Sequence, residues 1–553
     1  MKYYQQEPLR HVGDIPAMGA ARYGEKRALE YRGEEYSYAD LDRRADQVAS
    51  ALTDLGVEPG DRVAMYVANS LQFPETFFGI VRTGAVAVPL NHRMDKGRLQ
   101  YILDDAGVAV LVGSEVFPSV VTDLSEHVET TLIPGGNEDA GLLDYDEHVD
   151  GASADFDRPE REFEDVCLQC YTSGTTGDPK GVLTTHRNVI ATSQSYTETG
   201  AGDPEEDTTL LVLPLFHMYG LSVVLVNGLY NGIDIVLKTL PVASALLGAI
   251  DEHDVTQFAG IPAIFIEMLD EYESNPDQYD LSSIETVGSG AAPLADDTRD
   301  RVEEMFGAQL IEGWGMTETT PAGTTNTARG VIKGAGCIGR PSPDIELELV
   351  DPVTRETRVE AAWLDPQAPV DITEHVDFDD EEAYTGEMAV RGPQVFQGYH
   401  NLPERNDEVF DDEGWFYTDD IARVDEDRFL WMVDRADDMI IVGGENVYPA
   451  EVENALFDHS AVAEAAVVAA DHEVKGQAPV AFVVLEHDVD SDEVTERSLR
   501  EFALERVPTY AHPRRMFFVD ELPRSGTRKV QRYKLADEAA ERLDGPLSSS
   551  EEL

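Results

Sequence analysis

The sequence predicts an α/β protein of layered, largely parallel sheets with helices, split into at least two domains. Three observations lead there. At 553 residues the chain exceeds what one hydrophobic core normally serves. Short apolar runs alternate with segments of helical period, the pattern of parallel βα layering. Hydrophobic residues make up 42%, enough to fill globular interiors.

The elements follow in order. Ser37-Tyr38-Ala39-Asp40 reads as a capping box opening a helix on Leu41, Ala45, Val48, Ala49 and Leu52, stopped by Gly56. A strand is expected over 63–67, a helix over 72–83 stopped by Gly84, and strands over 85–89 and 108–112. Residues 135–164, rich in Gly and Asp, read as a surface connection. An apolar strand over 166–171 follows, then another over 210–217 ending at His217, and a helix over 221–229. Residues 360–382 read as an acidic surface insertion.

The most informative stretch is Tyr171-Thr172-Ser173-Gly174-Thr175-Thr176-Gly177-Asp178-Pro179-Lys180-Gly181. Its glycines let backbone amides converge, its hydroxyls donate, and Lys180 adds a point charge, together a cradle for polyphosphate. It is not the Walker loop, which needs G-x-x-x-x-G-K-[ST]; here Lys180 sits between Pro179 and Gly181. It closely resembles the phosphate loop of the adenylate-forming superfamily, which contains acyl-CoA synthetases, luciferases and peptide-synthetase adenylation domains.

Five further stretches resemble that superfamily's motifs, in its order, over nearly the whole length. Pro214-Leu215-Phe216-His217 matches a segment whose His faces the acyl group. Gly290, Ala291, Ala292 and Pro293 match the stretch bordering the adenine, where small residues let a flat ring approach the backbone. Gly313-Trp314-Gly315-Met316-Thr317-Glu318 supplies an aromatic for stacking, a hydroxyl for phosphate and, in Glu318, a hard oxygen ligand suited to Mg²⁺. Trp314 stands where the family usually has Tyr; stacking survives that change and any phenol hydrogen bond does not. Asp420 matches the carboxylate that holds the ribose, and Arg435 follows at the family spacing to reach ribose and phosphate. Near the C-terminus, Lys529 occupies the family's catalytic lysine position, with Arg528 where relatives carry Gly.

The resemblance implies an N-terminal adenylation domain over 1–433, a hinge over 434–438 centred on Asp437, a small mobile α+β C-terminal domain over 439–540 and a disordered tail over 541–553. Gly443, Gly444, Glu445 and Asn446 would approach the pantetheine tunnel. It implies ATP, Mg²⁺ and coenzyme A, and activation of a carboxylic acid through an acyl-adenylate. His217, Tyr219, Gly290 and Trp314 would border the acyl pocket. The forms at 437–441 and 443–446 resemble those of fatty- and medium-chain acyl enzymes, pointing to a fatty or aryl acid over acetate. Loading of a carrier protein in trans and aryl-acid ligation stay open as alternatives, and a homodimer is admitted.

Other motifs carry less. Cys167-Leu168-Gln169-Cys170 lacks a second pair for zinc and reads as buried strand. Gly334-Ala335-Gly336-Cys337-Ile338-Gly339 fits G-x-G-x-x-G, but no apolar strand leads in and Arg340-Pro341 stand where a helix should start. A polar, acid-bearing N-terminus and the lack of an 18-residue apolar run lead to the expectation of a cytoplasmic protein without a membrane span.

Charge is extreme: 108 acids against 42 bases, net −66, with nine lysines among the bases. Such a surface repels nucleic acid and anionic membranes, and it repels itself. At molar salt the Debye length falls to about 3 Å and the self-repulsion is screened. A halophilic cytosol is the environment this composition fits. Stability and activity are therefore expected to rise steeply with KCl. Full folding and activity in dilute buffer would rule the idea out.

Overall fold

The computed structural model describes residues 9–172, 178–200, 202–292, 294–326, 333–334, 336–365, 367–435, 438–442, 445–486, 494–524, 530–543 and 545–547. Two large sheets carry the N-terminal part. In the first, of fourteen strands, Thr208–Leu211, Asp234–Leu237, Gln257–Gly260, Thr286–Ser289 and Leu310–Trp314 form a parallel block. Beyond Leu310–Trp314 the same sheet turns antiparallel through Thr324–Thr325, Cys337–Pro341, Leu430–Arg435, Phe416–Val424 and Thr385–Arg391. The second sheet has eight strands. Arg62–Tyr66, Val86–Pro89, Val108–Gly113 and Thr130–Ile133 run parallel, and Val166–Thr172 pairs parallel with Val86–Pro89. Lys180–Thr185 and Gly398–Tyr399 close it antiparallel. Parallel strands thus make one half of the fourteen-stranded sheet and most of the eight-stranded one, and the antiparallel strands bring later segments of the chain to them.

Local signals set many boundaries. Ser37 Oγ accepts from the Asp40 N–H while the Asp40 carboxylate accepts from the Ser37 N–H, the reciprocal capping box the spacing predicts. The helix Gln72–Thr83 stops where Gly84 takes φ +81°, a left-handed conformation that costs Gly nothing. The C-x-x-C cysteines lie buried on Val166–Thr172, and burial pushes the Cys170 thiol up to about 12. The glycine stretch 334–339 runs into the strand Cys337–Pro341, which takes in Gly339, and no helix follows it, so a dinucleotide site is ruled out there.

The chain departs from the expected pattern at four places. The strand predicted over 210–217 ends at Leu211. Pro214 has no N–H for a ladder, and the Asn69 amide takes over the backbone, donating to Leu213 O (2.9 Å) and accepting from Leu215 N (3.0 Å). The helix expected over 221–229 is a π-helix over Tyr219–Val226 continued by Asn227–Asn231, a rare form concentrated at functional sites. The connection 135–164 contains the helix Tyr145–Gly151, whose Asp144 side chain caps two backbone amides. The tail is not wholly loose: Leu547 is buried and forms a parallel bridge with His472.

The insertion at 360–382 is also more than surface. Leu364, Ile372 and Val376 are buried in the core beneath the antiparallel strands, and Trp363 stacks on His375 with centroids 4.9 Å apart. Few apolar residues suffice because these three face inward.

A smaller C-terminal unit carries a five-stranded sheet. Val462–His472 and Gly476–Leu485 form its long hairpin, with Val462–His472 at one edge; along the other side of Gly476–Leu485, Ile440–Val442 pairs antiparallel at Gly476 and carries Glu445–Val447, while Arg515–Phe518 runs parallel beside residues 480–483. The helices Pro449–Phe457, Glu496–Leu504 and Arg532–Arg542 accompany it.

Leu364 is wholly buried, so Leu364→Ala should cost about 2–5 kcal/mol by denaturant unfolding and open 360–382 to proteolysis. A surface insertion with no structural role would show neither effect.

Candidate active site

The phosphate-loop candidate joins two antiparallel strands. Thr172 ends Val166–Thr172 and pairs with Lys180, which begins Lys180–Thr185. A Walker loop instead leads from a strand into a helix. Residues 173–177, that is Ser173, Gly174, Thr175, Thr176 and Gly177, lie outside the described residues. So do Pro293, Asp437, Gly443, Gly444, Arg528 and Lys529.

The strands Thr286–Ser289 and Leu310–Trp314 deliver the next groups at their C-terminal ends, where open parallel sheets hold ligands. Gly290 lies under Tyr219: a Cβ there would come 3.0 Å from the phenol ring, and Ala291 turns away with φ +67°. Ala292 is exposed beside it. Gly313 and Gly315 are sterically required, since a Cβ would meet Thr324 O at 2.9 Å and Pro321 O at 2.5 Å.

Trp314 packs one edge of its indole against Gly323, where no side chain would fit. Its Nε1–H donates to Asp420 Oδ2 at 2.7 Å. The polar bond that the loss of a Tyr hydroxyl seemed to remove is therefore replaced by an indole bond. Asp420 faces Arg435 across the ladder, with Arg435 Nε 3.3 Å from Oδ1. Asp420 owes its place to an irregularity in Phe416–Val424, where residues 418–420 stand opposite the single residue 388. Asp419 adopts φ +60° there, its N–H donates to Glu387 Oε1 at 2.9 Å, and Thr418 Oγ1 donates to Met388 O at 2.7 Å.

Glu318 lies in the short 3₁₀ turn Thr317–Thr319, 5% exposed. Met316 N–H donates to Thr319 Oγ1, and Thr320 closes the turn with φ +58°. Tyr399 Oη donates to Glu318 Oε1 at 2.9 Å, and the Phe396 N–H donates to the Glu318 carbonyl at 2.8 Å. Burial pushes the Glu318 carboxyl up, while the Tyr399 hydroxyl, Arg435 and Lys180 hold it down. Lys180 Nζ stands 5.5 Å from the Tyr399 ring centroid. Lys180, Glu318, Asp420 and Arg435, from four separate segments, thus share one electrostatic neighbourhood.

His217 is half-buried two residues before Tyr219 and extends an aromatic row, Phe117–His92–Phe216–His217, with centroid spacings of 4.6 to 4.8 Å. Burial lowers His92 to about 4, so that ring is neutral. At the first residue of the expected hinge, Asp434 accepts from the Ala450 N–H (2.8 Å) at the start of Pro449–Phe457, and burial raises its carboxyl to about 6. Glu445 and Asn446 lie on the strand Glu445–Val447. Tyr399, Phe396 and Glu387 were missed from sequence. Each supports a motif residue from a distant segment, and a single sequence gives no sign of that pairing. Among the described residues no cluster of His, Cys, Asp and Glu is arranged as a multi-ligand metal site. A lone buried carboxylate, Glu318, suits Mg²⁺, which keeps most of its shell as water and substrate phosphate.

Comparison with known proteins fits this geometry. The family model described as AMP-binding enzyme matches residues 17–400, and that of the AMP-binding enzyme C-terminal domain matches 451–529. The chain belongs to the AMP-binding enzyme family. This AMP-binding enzyme is 31% identical to a long-chain-fatty-acid–CoA ligase of Bacillus subtilis, over 97% of this chain and 95% of the relative. It is 32% identical to a feruloyl-CoA synthase of an Amycolatopsis species, over 95% and 96%. Its fold superimposes on an anthranilate CoA ligase in complex with anthranoyl-AMP with a TM-score of 0.83 at 28% identity, covering 98% of this chain and all of the other. No helix among the described residues is long and apolar enough to cross a membrane.

Glu387 yields a pH prediction. Burial raises its carboxyl from the ordinary value near 4.3 to about 7, with Asp419 and Asp420 adding repulsion. Between those pH values the folded chain binds the proton that the unfolded chain has released. This group's contribution is therefore fully present below about pH 4 and lost as pH rises through about 7. Glu387→Gln, which keeps the acceptor for Asp419, should be less sensitive than the parent over that window, with the stability difference changing by roughly 3 kcal/mol in denaturant unfolding series. Parallel curves for the two proteins would refute the assignment.

Proposed function

We propose that this enzyme activates a carboxylic acid, fatty or aryl, with ATP and transfers the acyl group to coenzyme A. The observation that carries the reading is the convergence of Lys180, Glu318, Asp420 and Arg435 described above, in a chain of the AMP-binding enzyme family. In the first step a carboxylate oxygen attacks the α-phosphorus of ATP. The bond to the β-phosphate bridging oxygen breaks, and acyl-adenylate and pyrophosphate form. In the second, the thiolate sulfur of coenzyme A attacks the acyl carbon, the carbon–oxygen bond to phosphate breaks, and AMP leaves.

The first step brings two anions together, so charge must be spread. Lys180 and the loop amides of 173–177 would hold the β- and γ-phosphates. Glu318 would hold Mg²⁺, which supplies charge neutralisation on the phosphate oxygens. Asp420 would accept from the ribose hydroxyls, held for that task by Trp314 and Arg435. Lys529 would bridge the carboxylate and the α-phosphate, and withdraw when the small domain turns about Asp437.

An aryl acid is a specific second reading. The row Phe117–His92–Phe216–His217 offers ring faces near Tyr219, and the relatives include a feruloyl-CoA synthase and an anthranilate CoA ligase.

A panel of fatty, aryl and short acids, read by acid-dependent pyrophosphate release in high salt, tests the reaction and ranks the substrates. Thioester formation with free coenzyme A separates ligation from carrier-protein loading. In the same assays Lys529→Ala should lose adenylate formation and retain thioester formation from supplied acyl-AMP. Equal loss of both half-reactions would refute that division, and no pyrophosphate with any acid would refute the function.

A further inference from the structure

The loop that follows Thr385–Arg391 carries a side chain to which no motif assigned a role. Tyr399 sits on the two-residue strand Gly398–Tyr399, at the edge of the eight-stranded sheet. Its backbone pairs with Val182, two residues beyond Lys180, and the Asn406 amide clamps it from the other side, accepting from Tyr399 N–H (2.7 Å) and donating to Tyr399 O (3.0 Å). Phe396 packs edge-on against the ring at 4.9 Å. The ring therefore has little freedom, and at 7% exposure it is nearly enclosed. Its hydroxyl donates to Glu318, in the turn that follows the strand Leu310–Trp314 of the fourteen-stranded sheet, and its face lies 5.5 Å from Lys180 Nζ.

The chemistry of this arrangement is specific. A neutral donor aimed at one oxygen of Glu318 leaves the other for a hard cation and adds no positive charge that would compete with it. Because ring and backbone are fixed, the same bond also fixes the carboxylate plane. The ring face meanwhile stabilises the ammonium of Lys180 beside it. We propose that Tyr399 is a positioning residue for nucleotide binding: its hydroxyl holds the Glu318 carboxylate in the orientation that faces Mg²⁺, and its ring steadies Lys180 for the same phosphates. The inference rests on the function proposed above and adds the residue that couples the metal carboxylate to the phosphate lysine.

The test compares the full-length parent with Tyr399→Phe and Tyr399→Leu in high salt. Tyr399→Phe keeps the ring, the packing on Phe396 and the contact with Lys180, and removes only the hydroxyl. Its Mg²⁺ concentration for half-maximal ATP–pyrophosphate exchange should rise about tenfold, the usual cost of removing a partner from a metal ligand, with the maximal rate recovered at saturating Mg²⁺. Calorimetric binding of a non-hydrolysable ATP analogue should weaken for Tyr399→Phe with Mg²⁺ present and stay unchanged without it. Tyr399→Leu, which also removes the ring, should weaken binding of the analogue even without Mg²⁺. Thermal melting of ligand-free Tyr399→Phe should fall by only a few degrees, the cost of one hydrogen bond lost by a buried carboxylate. An unchanged Mg²⁺ requirement in exchange and in calorimetry would overturn the proposal. So would a loss that Mg²⁺ cannot rescue together with a larger fall in melting temperature, since that is a packing defect. A parent protein without exchange activity for any acid would instead overturn the proposed function.

Discussion

The site is built around one buried carboxylate. Glu318 lies where an isolated charge would cost several kcal/mol, and it is kept by partners that arrive from elsewhere in the chain. Tyr399 comes from the edge of the eight-stranded sheet and Phe396 from the loop before it, while Glu318 itself follows a strand of the fourteen-stranded sheet. Satisfying this one group therefore ties the two sheets together at the point where the phosphate-loop hairpin ends. Asn188 reinforces the seam, its amide donating to the carbonyls of Pro393 and Val395 at 2.8 Å. The order of dependence is clear. If the sheets were not in register here, Glu318 would be a buried charge without a partner, and the turn carrying it would be unstable.

Backbone conformations that side chains normally avoid gather around the same place. Ala291, Thr320 and Asp419 all have positive φ, and each directs a motif. Such conformations cost of order 1–3 kcal/mol apiece and persist only where the surroundings over-determine them. At Asp419 the surroundings can be named: Glu387 accepts from its N–H, Arg405 pairs with its carboxylate at 3.0 Å, and Thr418 is anchored to Met388. The outcome is that Asp420 meets Trp314 and Arg435 rather than following the regular alternation of the strand.

The sequence made the motifs legible because their chemistry is local. Eleven residues of glycine, hydroxyl and lysine announce a phosphate cradle, and Trp314 to Glu318 announce a ring and a metal carboxylate. The capping box at Ser37 and the stop at Gly84 were legible for the same reason: each signal lies within four residues of its effect. What was not legible depends on distance along the chain. Asn69 ends the strand at Leu211 from 146 residues before Leu215, and Tyr399 reaches Glu318 across 81. The indole bond to Asp420 spans 106 positions, so the substitution of Tyr by Trp read as a loss until the strands were placed side by side. The insertion at 360–382 misled for a different reason, since its acids dominate its composition while three apolar side chains decide its position.

Charge binds the surface and the site into one problem. The reaction proposed here gathers a carboxylate, a triphosphate and later the phosphates of coenzyme A on a chain of net −66. Its long-range field opposes every one of these ligands in dilute buffer, so capture depends on cations at short range and on screening at long range. Yet the described cations of the site are already engaged: Arg435 lies against Asp420, and Lys180 lies over Tyr399 within the field of Glu318. With two carboxylates against two cations, this part of the pocket is close to neutral before nucleotide arrives. In the reaction proposed above, the charge needed to accept a triphosphate would then come from outside it, from Mg²⁺ on Glu318 and from Lys529. A neutral pocket that completes its charge only on assembly would hold a bare anion weakly and the metal–nucleotide complex well, which is why the carboxylate that would carry the metal is fixed so firmly by its neighbours.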